Sequence, residues 1–535
     1  MKGGKIFAEA MKAEGVRAMY GVPGHAYLGL IDALTETPEI RYVLFRHEEG
    51  AAIAAGIHSR LIGFWPVMAA GTCGPGVAHL INGAYGASQE GWPVVFVGGQ
   101  IEARFLMKGG LQEAPHVDYL KPITKWAVRV EMVWKIPEIV RNAVKTAVNG
   151  IPGPVYIDFP LDMQFEQIEM VNYIPSVRLY SAADAQEVKG LADLLIKAER
   201  PVILAGSGSL YNLAGKELVE LADLLKAPLI STPMVKGIVP EDLPLYAGLY
   251  GSKEADQLLS AADVIFLVGV RRSEVGKELF TVRYPAKLAE VSIIPSEIGS
   301  KGDVVGGAVG TINLVLKQLI DVLRVKVEKG RQPPAILAEI QKARKEAEEL
   351  QGKAVPMHPS TFLKELERAL PDDTICLAEA GQVGEIALRV IKARHPNFFI
   401  KPSWPSATGT ALPGALGAKL ALPDRPVVAI CGDSGFVTTC RDFEVATRER
   451  LGIAVFILNN NEMAAQRLVQ EERFGRSIPM NTGPFDYVKF GEAFNVFAGR
   501  VERPSELPQL IRSTLKAAAE GMPAILEAPV KTVKV

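Results

Sequence analysis

Short apolar runs recur along the chain, separated by stretches with helical spacing. "RYVLF", "PVMAAG", "PVVFVGG" and "GPVYIDFP" are continuous rather than alternating, the pattern of parallel strands buried on both faces. Segments such as "AAIAAGIHSRLIG" lie between them and read as helices, and "MKGGKIFAEAMKAEG" reads as an amphipathic helix. This is a βαβ rhythm. It pauses at 164–187, a polar and less periodic stretch, then resumes with "PVILAGSGS", "APLISTP" and "DVIFLVGV". A stronger break, Val327–Ser360, holds a Pro pair, a charged helix-like segment and two further prolines, and reads as a linker. A third block follows, with "DDTICLAEAG", "PVVAICGDSG", "IAVFILNNN" and "PAILEAPV" as strands. The predicted fold is α/β, with three doubly wound parallel-sheet domains at 1–170, 188–326 and 358–535 and a linker at 327–357. No short-period repeat is present.

Length agrees: 535 residues suit about three domains. The chain is 48% hydrophobic and 22% charged, as in an ordinary globular protein. A formal net charge of −1 gives no electrostatic case for nucleic acid or an anionic membrane. Cys73, Cys376, Cys431 and Cys440 form no C-x-x-C pair, and each lies in or beside an apolar run, so buried reduced thiols and a cytoplasmic setting are expected. The N-terminus lacks the apolar block of a signal peptide. No apolar run approaches the roughly 20 residues of a membrane span.

Candidate chemistry concentrates in "VVAICGDSGFVTTCRDFEVATRERLGIAVFILNNN", Val427–Asn461. If "VVAIC" and "IAVFIL" are neighbouring parallel strands and "RDFEVATRER" is their crossover helix, Asp433 and Asn460 sit on the same rim of the sheet. A carboxylate and an amide oxygen there suit Mg²⁺, which shares its shell readily with phosphate oxygens. Gly432, Ser434 and Gly435 make a small turn before a helix N-terminus, where backbone N–H groups can cradle a phosphate. The residues alone leave a second reading open, because Gly-Asp-Ser-Gly is also an ordinary turn and Asn often ends strands.

The spacing from Gly-Asp to Asn-Asn resembles the diphosphate signature of thiamine-diphosphate enzymes, in the acetolactate synthase and benzoylformate decarboxylase-like branch. That resemblance implies side-chain metal ligation by Asp433 and Asn460 and backbone ligation by Glu462. "VLFRHEEGAAIAAGIHSR" is similar to the segment carrying the catalytic glutamate, implying Glu48, with Glu49 as the less favoured neighbour. A carboxyl group in apolar surroundings can hold and share the proton that takes the cofactor's aminopyrimidine to its imino form, which then removes the thiazolium C2 proton. "GTCGPGVAHLINGAYG" resembles the family's Thr-Ser-Gly-Pro-Gly segment and contributes Gly74; "GLQEAPHVDYL" resembles its Phe-Gln-Glu region and places Gln112 near the thiazolium. "AEAGQVGEIAL" implies cofactor contacts from Gly381 and Gln382, "ATGTALPGALGAKLA" from Thr408, and "GVPGHAYLGL" from Pro23. The resemblance spans nearly the whole chain in collinear order.

Several positions depart from the family pattern. Thr408 stands where Met, Leu or Ile wedges between the cofactor rings. His79 replaces Asn, Leu111 replaces Phe, and Val469 lies near the place of an aromatic residue. His25 stands where acetolactate synthases have Gly and benzoylformate decarboxylases an active-site Ser; an imidazole there can bind a carboxylate or shuttle a proton, or be an ordinary loop histidine. His47 reads as packing or pairing beside the glutamate, His116 as a weaker candidate, and His58, His358 and His395 as surface or linker residues. FAD stays open: Arg271 matches an arginine used for it, but "GVRRSEVG" lacks the usual Phe-Asp-Asp, and "AGSGS" is weak by itself.

The resemblance implies a ThDP- and Mg²⁺-dependent carboligase or decarboxylase of a small 2-oxoacid, pyruvate first, working through a carbanion-enamine. It also implies a homodimer or homotetramer with active sites between subunits. Two other readings are a C–C lyase on 2-hydroxyacyl or acyl-CoA substrates and a non-catalytic ThDP-binding subunit. The ending "APVKTVKV" weighs mildly against the lyase, and intact Glu48, Asp433 and Asn460 against the non-catalytic subunit.

Overall fold

Apolar runs become buried strands because each is covered by helices on both faces. The computed structural model describes residues 1–169, 172–274, 286–327, 331–346, 355–402 and 407–534, so parts of the linker and of "GVRRSEVGKE" lie outside the described residues. The first sheet comprises β1 (Ala18–Gly21), β2 (Arg41–Leu44), β3 (Val67–Gly71), β4 (Val94–Gln100), β5 (Trp126–Arg129) and β6 (Val155–Pro160). The second comprises β7 (Pro201–Ala205), β8 (Leu229–Ser231), β9 (Tyr246–Leu249), β10 (Val264–Val268), β11 (Lys287–Ser292) and β12 (Val304–Val309). The third comprises β13 (Ile375–Ala378), β14 (Phe399–Ile400), β15 (Val427–Gly432), β16 (Ile453–Asn459), β17 (Phe497–Arg500) and β18 (Ala524–Pro529). All three are parallel, as predicted, and each has six strands among the described residues.

The first and third sheets share one order, β2-β1-β3-β4-β6-β5 and β14-β13-β15-β16-β18-β17. Direction reverses between β1 and β3, and between β13 and β15. In doubly wound sheets the strand-end loops at such a reversal form the binding crevice. The central sheet, β12-β11-β10-β7-β8-β9, has the other doubly wound order and reverses between β7 and β10.

The chain divides into two units. One is Met1–Arg178, Gly352–Val390 and Pro405–Val535; the other is Leu179–Gln351 and Ile391–Trp404.

Within the first unit, helix α1 (Glu48–Leu61) is buried along almost its whole length. It packs on α2 (Pro75–Glu90) and on α3 (Ala411–Ala421) through small residues. A Cβ at Gly417 would stand 2.2 Å from the Ala54 carbonyl oxygen, and one at Gly83 would stand 2.2 Å from Ala52 Cβ. These glycines set the helix spacing. Gly417→Ala should therefore cost about 1–3 kcal/mol, because backbone must move to relieve the overlap. A urea midpoint equal to wild type would rule out this close packing.

Burial of α1 on all sides corrects the reading of His58 as a surface residue. It is 8% exposed, its Nδ1 lies 2.5 Å from the Tyr20 hydroxyl, and burial pushes its pKa down to about 4. His358 is half-buried and caps the helix Pro359–Ala369 by accepting from the Ser360 amide, and His395 is half-buried. Cys73, Cys376 and Cys431 are buried and outside any disulfide, whereas Cys440 is only half-buried. Among the described residues, no helix is long and apolar enough to cross a membrane.

Candidate active site

Loops leaving β1, β2 and β3 gather on the carboxyl-end rim of the first sheet. β1 leads to Pro23 and His25, both exposed, with His25 opening a short 3-10 turn, His25–Tyr27. β3 leads to Gly74, whose φ of +68° precedes Pro75 at the start of α2. A Cβ on Gly24 would fall 2.1 Å from Thr72 Cβ, so the β1 and β3 loops touch.

β2 leads to Glu48, the first residue of α1, with only 7% of its side chain exposed. Its Oε2 lies 2.9 Å from His79 Nδ1, on α2. The His47 and His79 rings stack with centroids 4.2 Å apart. His47 Nδ1 accepts from the Glu49 amide at 3.3 Å, capping α1, and burial, reinforced by the Arg441 cation, pushes its pKa down to about 4. Glu49 is handled differently: it accepts from Asn82 Nδ2 at 2.5 Å and pairs with Arg441 at 3.5 Å.

Gln112 has an exposed side chain and a φ of +62°. Its carbonyl oxygen accepts from Cys73 Sγ at 2.9 Å. His116 is fully buried. Its Nε2 accepts from the Gly74 amide at 2.8 Å, so the ring proton sits on Nδ1, 2.9 Å from the buried Asp158 carboxylate. Gln100 and Arg129 complete this network, which ties the Gly74 and Gln112 loops together.

A second rim forms at the carboxyl ends of the third sheet. β13 leads to Gly381, with a φ of +83°, and to Gln382, which opens the helix Gln382–Val390 and donates to the Val533 carbonyl. β15 leads directly into helix α4 (Asp433–Thr439), with extended Gly432 as its N-cap. Ser434 and Gly435 thus lie inside the first helical turn, not in a turn preceding it, because the chain passes from strand to helix with no intervening residues. Asp433 is 5% exposed, and burial raises its carboxyl pKa; its Oδ2 accepts from Thr482 Oγ1 at 2.5 Å. Ser434 Oγ is buried with no hydrogen-bond partner among the described residues.

β16, which pairs with β15, ends one residue before Asn460. Asn460 Nδ2 donates to Thr532 Oγ1 at 3.1 Å, which turns its amide oxygen away from that partner. The Glu462 side chain is engaged by Arg467 at 2.6 Å and by Thr532. Thr408 is exposed, in the turn before α3.

Sequence reasoning did not single out Glu379. It is 1% exposed and accepts from the amides of Ala380, Gly409, Thr410 and Ala411 at 2.9–3.3 Å. One buried carboxylate thereby fixes the Thr408 turn against the end of β13. The signal was an acid following the apolar run "ICLA", but its partners lie about thirty residues ahead.

Three family models match the chain in order: the thiamine pyrophosphate enzyme N-terminal TPP binding domain at residues 1–120, the central domain at 188–319, and the C-terminal TPP binding domain at 379–528. The chain belongs to the thiamine pyrophosphate enzyme family. Relatives of this enzyme include probable acetolactate synthase large subunits of Methanococcus aeolicus and Methanocaldococcus jannaschii, each 30% identical over 96% of this chain and 90% of the relative. The acetolactate synthase of Bacillus subtilis is 28% identical over 99% of this chain and 93% of its own length. This is a thiamine-diphosphate enzyme of the acetolactate synthase-like branch.

Proposed function

We propose that this enzyme binds thiamine diphosphate with Mg²⁺ and acts on a small 2-oxoacid, pyruvate first, as a carboligase with decarboxylation. The observation that carries the proposal is the pairing, in one chain, of a buried rim carboxylate, Glu48, with the oxygen donors Asp433 and Asn460 on a second rim.

The residues fit the cofactor. Asp433 and Asn460 offer hard oxygens, and Glu462, its carboxylate already engaged, has its backbone carbonyl to give; this donor set suits Mg²⁺. The Ser434 hydroxyl beside Gly432 and Gly435, without a partner among the described residues, supplies a donor for a diphosphate, with Gly381 and Thr408 on neighbouring loops and Gln382 at a helix start. Pro23 and Gly74 flank Glu48 on the first rim. When bound, thiamine diphosphate supplies a carbon nucleophile for the 2-oxoacid carbonyl and a sink for the electrons released with CO₂.

Glu48 holds and shares a proton at a ring nitrogen of the pyrimidine. It is chosen over Glu49 because Glu49 is committed to Asn82 and Arg441. Gln112 and His25, both exposed, are assigned to the substrate side, where His25 would receive a carboxylate or pass a proton. FAD forms no part of the proposal. In the turn after β7, the Ser207 amide and hydroxyl are already held by the buried Glu274 carboxylate, which leaves them no donor for a flavin diphosphate. The proposal includes a homodimer or homotetramer in the cytoplasm. Phe105, Met107 and Leu111, close to Gln112 in sequence, are 45%, 96% and 88% exposed, apolar side chains that a second copy would cover.

The test is pyruvate turnover by metal-stripped protein, with and without thiamine diphosphate and Mg²⁺, with products identified. Acetolactate formed only with both additions is the expected result. Acetaldehyde without acetolactate would replace the carboligase with a decarboxylase and make His25 the next residue to change. No turnover despite tight cofactor binding would overturn the pyruvate assignment in favour of larger substrates or a non-catalytic subunit.

A further inference from the structure

Resting on the assignment of Glu48 above, we propose that His79 is its positioning residue: a side chain on α2 that holds the Glu48 carboxylate in the orientation needed to work on the pyrimidine. Three observations support this. Glu48 Oε2 and His79 Nδ1 are 2.9 Å apart. His79 is itself braced, its ring stacked on His47 at 4.2 Å, while His47 is locked to the start of α1 by the Glu49 amide. Glu49, the adjacent acid, is drawn off by Asn82 and Arg441 and does not compete for His79.

The charged and titratable groups around His79 are therefore Glu48 and Glu49 of α1, His47 before it, and Arg441 from the segment after α4. His47, Glu48 and His79 also have ligand atoms within 4.8 Å of one another, close enough to hold a cation. The geometry favours positioning. Stacked imidazoles direct their in-plane lone pairs side by side rather than at a common point, and the nearby Arg441 cation opposes a second positive charge. A ring nitrogen that donates to a carboxylate fixes its rotamer, and loss of such orientation misplaces the reacting oxygen.

The test compares full-length His79→Ala, His79→Asn, Glu48→Gln and the Glu48→Gln/His79→Ala double variant. Each is measured for kcat, pyruvate KM, calorimetric affinity for thiamine diphosphate with Mg²⁺, and hydrogen–deuterium exchange at the cofactor's reactive carbon. His79→Ala should lower kcat and the exchange rate roughly ten- to a hundredfold, leaving KM and cofactor affinity within about twofold. His79→Asn keeps an N–H donor of similar reach and should restore most of the loss. In the Glu48→Gln background, His79→Ala should add nothing. Full exchange in His79→Ala, or an equal loss in the Glu48→Gln background, overturns the proposal. If His79→Ala fails to fold, His79→Leu, which retains the ring's bulk without a donor, takes its place under the same criteria. A fully active Glu48→Gln instead removes the assignment of Glu48, a separate failure.

Discussion

Glu48→Gln should lower kcat by about 10²–10⁴-fold, with binding of thiamine diphosphate and Mg²⁺ retained. The substitution preserves shape and hydrogen-bonding reach but removes the ability to take up and return a proton. Glu48 is almost wholly shielded from water, so no solvent molecule stands in readily for the lost carboxyl group. His79 can still meet the amide oxygen of Gln, and the fold is expected to persist. The relevant measurements are kcat at saturating cofactor and calorimetric cofactor affinity on the same preparation. Wild-type kcat with intact binding would sink the assignment. A large loss of affinity would show that Glu48 serves binding and not proton transfer. Glu49→Gln is the control: its carboxylate is committed to Asn82 and Arg441, and kcat should stay within about threefold of wild type.

The second large effect is expected at Asp433. Asp433→Asn should weaken Mg²⁺-dependent binding of thiamine diphosphate about a hundredfold or more, at 1.4 kcal/mol per factor of ten. The site loses its negative charge, and two neutral amide oxygens, one from the substituted side chain and one from Asn460, attract a divalent cation far less than a carboxylate does. Stability of the protein without cofactor should move the other way. Asp433 is a buried carboxylate whose one side-chain donor among the described residues is the Thr482 hydroxyl, and an unpaired buried charge costs stability. The substitution removes that charge, so the cofactor-free variant should melt no lower than wild type. The two measurements are cofactor titration at fixed Mg²⁺ and thermal unfolding with and without both additions. Undiminished Mg²⁺-dependent affinity would exclude Asp433 as a ligand.

Helix α3 and the Gly417 contact bear on the same site, because α1 carries Glu48 at its first residue and is held in place by small residues along its length. A change that spreads these helices shifts the start of α1, so Gly417→Ala reports on the scaffold of the glutamate as well as on core packing.

Most of the central strands were legible in the sequence because a parallel strand covered on both faces must be apolar at every position. β3, β4 and β16 are buried throughout and read directly as "VMAAG", "VVFVGG" and "IAVFIL". Edge strands escape that rule. β5 "WAVR" and β17 "FAGR" are half-buried, short and mixed, and no run of residues marked them. The rim placement of Asp433 and Asn460 also followed from sequence, since a crossover between neighbouring parallel strands returns the chain to the same edge. What tertiary structure alone decided is which side chains meet across long intervals. Glu48 and His79 are 31 residues apart and Glu379 and Gly409 are 30, and nothing local in either segment names its partner. The burial of His58 was likewise invisible, because a helix covered on every side has no polar face to betray its orientation. Sequence determined most of the buried strands, their parallel direction and the chemistry available at their ends, because local patterning carries that information. The packing of α1 between α2 and α3 decided which carboxylates are sheltered, paired and aimed.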